Sequence, residues 1–364
     1  MSILTKIRRN TFLKKRAQKI ERWLKSKLLG VLVKSNHGAA VVSVQDMKDV
    51  EQILIIRPNY RIGNALICTP VIEFFHSQYP GAAIDFVGTD TTKAIYANFP
   101  IRTLYCMSRA FIYRPWALLA MIRQARKARY DLIVDATAGS VTSLLFTRLA
   151  KGRYTIGDCV RGQQVYDVTA PMKTQHVYDM AVPFAALYAK EARRRPSLIL
   201  SDEERQHAQQ AISDSFPSRE VEQIVGLFVG GHLDKRSPIE YWESVTVALA
   251  NKGIPFAIFV GPEESQYADR LEAFVGVNGV VIRPRPLREF AGLMSKMSCL
   301  ITPDSGPMHL AAAFDVPVIA VLRTSLSNKF VPQGEQDISL VHPQVDEVMV
   351  AVETALAHSV QTEK

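Results

Sequence analysis

The stretch ITPDSGPMHLAAAFDVPVIAVL, residues 301–322, reads as a strand end, a tight polar turn, a short helix, a break and a second buried strand. Asp304, Ser305 and Gly306 are turn residues. Pro307 suits the first turn of a helix, where its fixed φ helps and its missing N–H costs nothing. Met308, His309 and Leu310 continue that helix, and three alanines at 311–313 keep it slim enough to lie close on a parallel sheet. Asp315 and Pro317 end it, and 318–322 is apolar at every position, as in a strand covered on both faces. N–H groups at such a helix start have no intrahelical partner and carry the positive end of the dipole, so they suit a phosphate or diphosphate. An ordinary strand–turn–helix without any ligand has the same pattern, so the rest of the chain has to decide between the two.

Outward from this stretch, short apolar runs alternate with helical patterns, which predicts an α/β protein with parallel sheets. Strands are expected at 53–56, 84–87, 103–105 and 132–134, with helices at 64–79, 91–98 and 116–129. Arg193, Arg194, Arg195 and Pro196 interrupt the pattern, and it then restarts. Further strands are expected at 224–229, 256–260, 280–282, 299–301 and 318–322, with helices beginning near Pro238, Glu263, Leu287 and Pro307. At 364 residues the chain has room for two cores. The expected organisation is a basic arm over 1–45, one Rossmann-like domain over 46–195 and a second over 196–364, facing a ligand cleft.

The net charge of +9 is unevenly spread. Residues 1–37 hold eleven Lys or Arg and one acid, Glu21, so the arm carries the whole excess and the body is near neutral. Ile3, Ile7, Leu13, Ala17, Ile20, Leu24, Leu28 and Val31 trace one side of a helix in this arm, with Trp23 beside the stripe. A helix of that kind lies in the headgroup plane of an anionic membrane, apolar side down. A solvated helix and a nucleic-acid-binding arm are the competing readings. The apolar stripe with Trp23 favours the membrane surface through residues 1–34 and no nucleic acid, because a phosphate-backbone binder does not need it.

Four widely spaced cysteines (Cys68, Cys106, Cys159 and Cys299) form no Cys-x-x-Cys pair, which argues against a zinc site or disulfide framework and for a reducing cytoplasm. No apolar run approaches the ~20 residues of a membrane-spanning helix. A nicotinamide dehydrogenase is poorly supported, since no Gly-x-Gly-x-x-Gly follows the first strand.

Three segments carry a family pattern: ILIIRPNYRIGNALICTP at 53–70, VGLFVGGHLDKRSPIEYW at 225–242 followed by FVGPEE at 259–264, and the opening stretch. Together they resemble glycosyltransferase family 9, the heptosyltransferases that build the inner core of bacterial lipopolysaccharide. The resemblance spans about 51–322, with Asp-Ser-Gly-Pro-Met-His-Leu-Ala-Ala-Ala as its most specific part. It implies a GT-B fold whose N-terminal half binds acceptor and whose C-terminal half binds a nucleotide sugar, typically ADP-heptose. It also implies inverting transfer that needs no metal or other cofactor, and a peripheral position on the cytoplasmic face of the inner membrane, where the acceptor is a lipid-linked oligosaccharide. The chain lacks an Asp-x-Asp ligand pair, and a helix start plus a lysine can supply the stabilising charge instead.

By this resemblance, Lys235, after the Gly230–Gly231 turn, meets the diphosphate and stabilises charge on the leaving nucleotide. Glu263 matches the acid that accepts the ribose hydroxyls, with Glu264 a close competitor. Asp304, Ser305, Gly306, Pro307 and Met308 face the donor, and His309 is either a phosphate contact or an orienting side chain. Arg57, Arg61 and Gly63 in the first loop suit an anionic acceptor, or are plain loop residues, and His176 falls where relatives carry a histidine facing the cleft.

One position departs from the pattern. Relatives carry Gly-Asp in the first loop, with the aspartate as general base, and here the pair is Gly63–Asn64. An amide takes no proton in this range. Asn64 therefore orients the acceptor while Asp304 or Asp135 takes the proton, or the substrates differ, or the chain binds ligand without transfer. A nucleotide-sugar epimerase built on the same fold is a further alternative.

Overall fold

A computed structural model describes residues 42–108, 114–160, 162–216, 223–231 and 235–362. The expected basic arm, including the helical stripe over 1–34 and Trp23, lies outside the described residues. In chain order the elements are β1 (Gln52–Ile56), α1 (Ile62–Leu66), α2 (Thr69–Gln78), β2 (Ala83–Thr89), β3 (Thr103–Met107), α3 (Pro115–Arg126), β4 (Leu132–Asp135), α4 (Val141–Ala150), β5 (Tyr154–Gly157) and β6 (Val168–Thr169). There follow α5 (Val182–Leu187), α6 (Asp202–Ser215), β7 (Val225–Phe228), α7 (Ile239–Asn251), β8 (Phe256–Phe259), α8 (Ala268–Glu272), β9 (Gly279–Ile282), α9 (Leu287–Met294), β10 (Cys299–Thr302), α10 (Gly306–Ala312), β11 (Val318–Leu322), β12 (Ile338–Val341) and α11 (Val345–Thr362).

These strands make two six-stranded sheets, ordered β3-β2-β1-β4-β5-β6 and β12-β11-β10-β7-β8-β9. The pairings from β2 through β6 in the first sheet, and all those in the second, are parallel. Read from β7 as a new first strand, the second sheet repeats the order of the first, and both are doubly wound. Strands buried on both faces account for the unbroken apolar runs: Ile53, Leu54, Ile55 and Ile56 are all buried, as are Phe256 to Phe259 and Val318 to Leu322. Each large aliphatic side chain so buried contributes about 1.5–3 kcal/mol.

The expected strands are all present, and the helices differ in detail. The helix expected over 64–79 is two helices that part at Ile67 and Cys68, with Pro70 in the first turn of α2. The helix expected over 91–98 is one 3-10 stretch, Lys93–Tyr96. Past Glu263 the chain makes a 3-10 turn, Ser265–Tyr267, before α8 begins.

The chain divides into two compact units, one holding residues 42–58, 79–87 and 102–173 and the other 59–78, 88–101 and 174–362. In the first, Leu54, Ile56, Tyr105, Tyr130, Ile133 and Phe146 form a core against α3. In the second, Trp242, Val245, Leu249, Phe256, Val348 and Val352 pack α7 and α11 on the sheet. The arginine run expected to mark a boundary belongs to this second unit: Arg193 pairs with Asp315 at 3.1 Å, and Arg195 with Asp337 at 2.5 Å. Among the described residues no helix is long and apolar enough to cross a membrane.

Candidate donor site at the ends of β7, β8 and β10

A cavity of about 510 Å³ opens at the carboxyl ends of the second sheet's strands. Ligands of doubly wound sheets bind there, where the strand order reverses. Phe228 closes β7, Val260 to Glu264 follow β8, Pro284 follows β9, and Asp304 to Pro307 follow β10. Leu287 and Phe290 of α9 and Leu310 of α10 complete an apolar slot, and Ile62 of α1 reaches its rim. The size suits a nucleotide, since ligand pockets run to roughly 300–1,000 Å³.

Ser305 is the N-cap residue of α10 in extended conformation, but its side chain makes no capping bond. Its hydroxyl lies 3.0 Å from that of Thr302 instead. The first N–H groups of the helix are therefore left without a side-chain acceptor beside the cavity. Asp304, nearly buried, is ion-paired and hydrogen-bonded to the Lys235 ammonium. The same ammonium stands 4.9 Å over the Phe330 ring, so Lys235 is held between a carboxylate and an aromatic face.

The two acids after β8 have separated roles. Glu263 is 79% exposed, at the cavity mouth, with the Arg236 guanidinium at 3.5 Å. Glu264 is buried and holds Arg236 in a close ion pair. Burial raises the Glu264 pKa and the Arg236 charge opposes that rise. Gly230 and Gly261 make room for this side chain. A Cβ on either would fall 2.8 or 2.6 Å from Glu264 Oε2, and at Gly230 also 2.5 Å from Phe228 Cζ.

Met308 and His309 are buried behind the helix start rather than lining the cavity. His309 Nδ1 lies 2.9 Å from the Tyr178 hydroxyl. Burial lowers its pKa to about 4, so the ring is neutral. It lies against Gly63, where a Cβ would come 2.5 Å from His309 Cδ2, so α1 approaches α10 this closely only because residue 63 has no side chain. His176 caps the 3-10 turn Val177–Met180. Its Nδ1 accepts the Tyr178 N–H at 3.2 Å, and Nε2 donates to the Val331 carbonyl at 2.9 Å. Both its ring nitrogens are thus engaged within the protein. Arg61 and Asn64 are exposed on the same loop and helix, where the Asn59 amide donates to the Asn64 carbonyl at 3.2 Å.

In the first unit, Arg57 is half-buried and donates to the Ala136 carbonyl at 2.8 Å. Asp135 is buried, which raises its pKa. Its carboxylate accepts from Thr137 N–H at 2.9 Å, Thr137 Oγ1 at 2.6 Å and Tyr166 OH at 2.5 Å. That inaccessibility removes Asp135 as a group that takes a proton from an acceptor.

Of the residues expected at a donor site, the cavity brings together Glu263, Asp304, Ser305, Gly306 and Pro307, with Lys235 joined through Asp304. The apolar lining at Phe228, Val260, Pro284, Leu287 and Phe290 was not anticipated. Its signal was positional, since Phe228 ends a strand, Val260 immediately follows one and Pro284 comes two residues after one.

Two doubly wound sheets with a nucleotide-sized cavity at the strand ends are the GT-B glycosyltransferase architecture. The chain belongs to glycosyltransferase family 9 (heptosyltransferase), whose family model matches residues 118–355. Solved structures agree in fold. A family 9 glycosyl transferase from Veillonella parvula is 19% identical with a TM-score of 0.75, covering 85% of this chain and 98% of its own. The E. coli heptosyltransferase WaaC, solved with ADP, is 21% identical with a TM-score of 0.65, covering 84% and 99%. E. coli ADP-heptose LPS heptosyltransferase II is 16% identical with a TM-score of 0.65, covering 86% and 100%. No curated protein matches the chain in sequence.

Proposed function

We propose that this glycosyltransferase is an inverting, metal-independent enzyme that moves heptose or a related sugar from a nucleotide donor, of the ADP-heptose kind, to a lipopolysaccharide core acceptor. The observation that carries the reading is the cavity itself: an apolar slot for a base, an exposed carboxylate at its mouth, and an uncapped helix start beside a lysine. The base lies between Phe228, Pro284 and Phe290, and Glu263 accepts the ribose hydroxyls. The diphosphate meets the N–H groups at Gly306, with Gly230 giving the backbone turn and Lys235 the charge. Pro307 and Met308 fix the helix, and His309 steadies it from behind.

Residues 46–195 supply the acceptor side and 196–364 the donor side. Arg57, Arg61 and Gly63 present the acceptor, and His176 acts through Tyr178. As Lys235 turns to the donor phosphates, Asp304 loses its cationic partner and becomes the proton acceptor. The acceptor oxygen, oriented by Asn64, attacks the anomeric carbon, the bond to the diphosphate breaks, and the proton passes to Asp304. The nucleotide diphosphate leaves with its charge held by Lys235 and the helix start. Residues 1–34 hold the enzyme peripherally on the cytoplasmic face of the bacterial inner membrane, with no nucleic acid involved.

Asn64 favours a second reading, a relative that binds nucleotide sugar or glycolipid without transferring. Nucleotide release from ADP-heptose with a truncated core acceptor separates the two. An active wild type impaired by Asn64→Asp supports transfer, and an inert wild type that gains activity with Asn64→Asp supports the second reading. Absence of release from every nucleotide sugar, by both proteins, sinks the transferase.

A further inference from the structure

Helix α3 carries apolar groups on two opposite sides. Leu118, Met121, Ile122 and Ala125 face inward onto the core with Tyr105 and Tyr130. On the outer side Trp116 is 65% exposed and Leu119 42%, with Arg123 exposed about a turn further along. Residues 116, 119 and 123 share one face of a helix. Arg126 and Lys127 are exposed at its C-terminal end. Between 114 and 130 the sequence holds Arg114, Arg123, Arg126, Lys127 and Arg129 and no acid.

We infer that the outer face of α3 docks on an anionic phospholipid surface, with Trp116 and Leu119 entering the headgroup region and Arg123, Arg126 and Lys127 meeting lipid phosphates. An amphipathic ring settles where one side is apolar and the other wet, and clustered cations are drawn to anionic lipid. Charge decides against the nearer occupants. Residues 1–34 carry eleven cations and would be repelled by this helix, and a second copy would set basic helix against basic helix. A polynucleotide matches the charge but offers Leu119 no apolar phase. The inference is independent of the proposal that the N-terminal arm meets the same surface.

The chain has three tryptophans, Trp23, Trp116 and Trp242, and Trp242 is fully buried, so two can report on lipid. Full-length Trp23→Phe protein leaves Trp116 as the reporter. With phosphatidylcholine vesicles containing about one-third phosphatidylglycerol, its emission should shift to the blue and be quenched by brominated acyl chains, and pure phosphatidylcholine should do neither. Arg123→Glu with Arg126→Glu should weaken binding about tenfold or more, at an unchanged melting temperature. Trp116→Phe protein reads the arm through Trp23 in the same assay. Quenching of Trp23 without quenching of Trp116 overturns the α3 proposal and leaves the arm standing, and silence from both overturns both. An equal response of Trp116 to duplex DNA or RNA overturns the lipid assignment.

Discussion

Gly63→Ala tests how tightly α1 is fitted to α10. The added Cβ falls 2.5 Å from His309 Cδ2 and 3.3 Å from Nε2, so the ring must retreat by about 1 Å to reach ordinary contact. His309 is buried, and its Nδ1 is tied to the Tyr178 hydroxyl at 2.9 Å. A retreat of that size displaces the ring from this hydrogen-bond geometry. Overpacking costs about 1–3 kcal/mol. Because residue 63 lies within α1, alanine also gains roughly 0.5–1 kcal/mol over glycine in helix propensity. The expected net loss is about 0–2.5 kcal/mol, or a fall of up to about 10 °C in Tm at about 2–4 °C per kcal/mol. Thermal and urea melts should be run on Gly63→Ala, His309→Ala and the double variant. With the ring gone the clash is gone, so Gly63→Ala should become neutral or stabilising by about 0.5–1 kcal/mol in the His309→Ala background. Equal destabilisation in both backgrounds refutes the steric argument.

Two further outcomes follow from the same unit. His309 has its pKa lowered from 6.5 to about 4 by burial, so the unfolded chain binds its proton first as pH falls. Stability from this group is complete above about pH 6.5 and is lost as pH drops toward 4, by about 3 kcal/mol at most. Urea melts across that range should show the slope, and His309→Gln should flatten it. Glu264→Gln should cost about 1–3 kcal/mol in a melt because it strands Arg236 beside a buried amide, whereas exposed Glu263→Gln should change stability by no more than about 0.5 kcal/mol. Calorimetric titration with ADP should show the reverse ranking, with Glu263→Gln losing the affinity.

The strands were legible because strands buried on both faces are written as unbroken apolar runs, as at 53–56 and 318–322. β6 has only two residues, and β12 alternates half-buried with exposed positions at a sheet edge, so neither makes such a run. The 18-residue α11 lies past the last expected element and was missed, although Val345, Val348, Met349 and Val352 stand at helical spacing. In the site, Asp304 to His309 could be read because polar, turn and helix residues lie together in sequence. The apolar slot could not, because Phe228, Val260, Pro284 and Phe290 are each apolar and indistinguishable from core until the strand ends converge. Tyr178 was invisible for a related reason: its partner His309 is 131 positions away.

The fit of residue 63 against residue 309 bears on recombination within the family. A chimaera that takes 196–364 from one relative and everything earlier from another inherits α10 from one parent and the α1 that lies on it from the other. With glycine against histidine the two parts mate. A parent with a side chain at 63 brings the Gly63→Ala clash onto the other parent's His309, so a crossover that separates the two positions should carry that loss of stability.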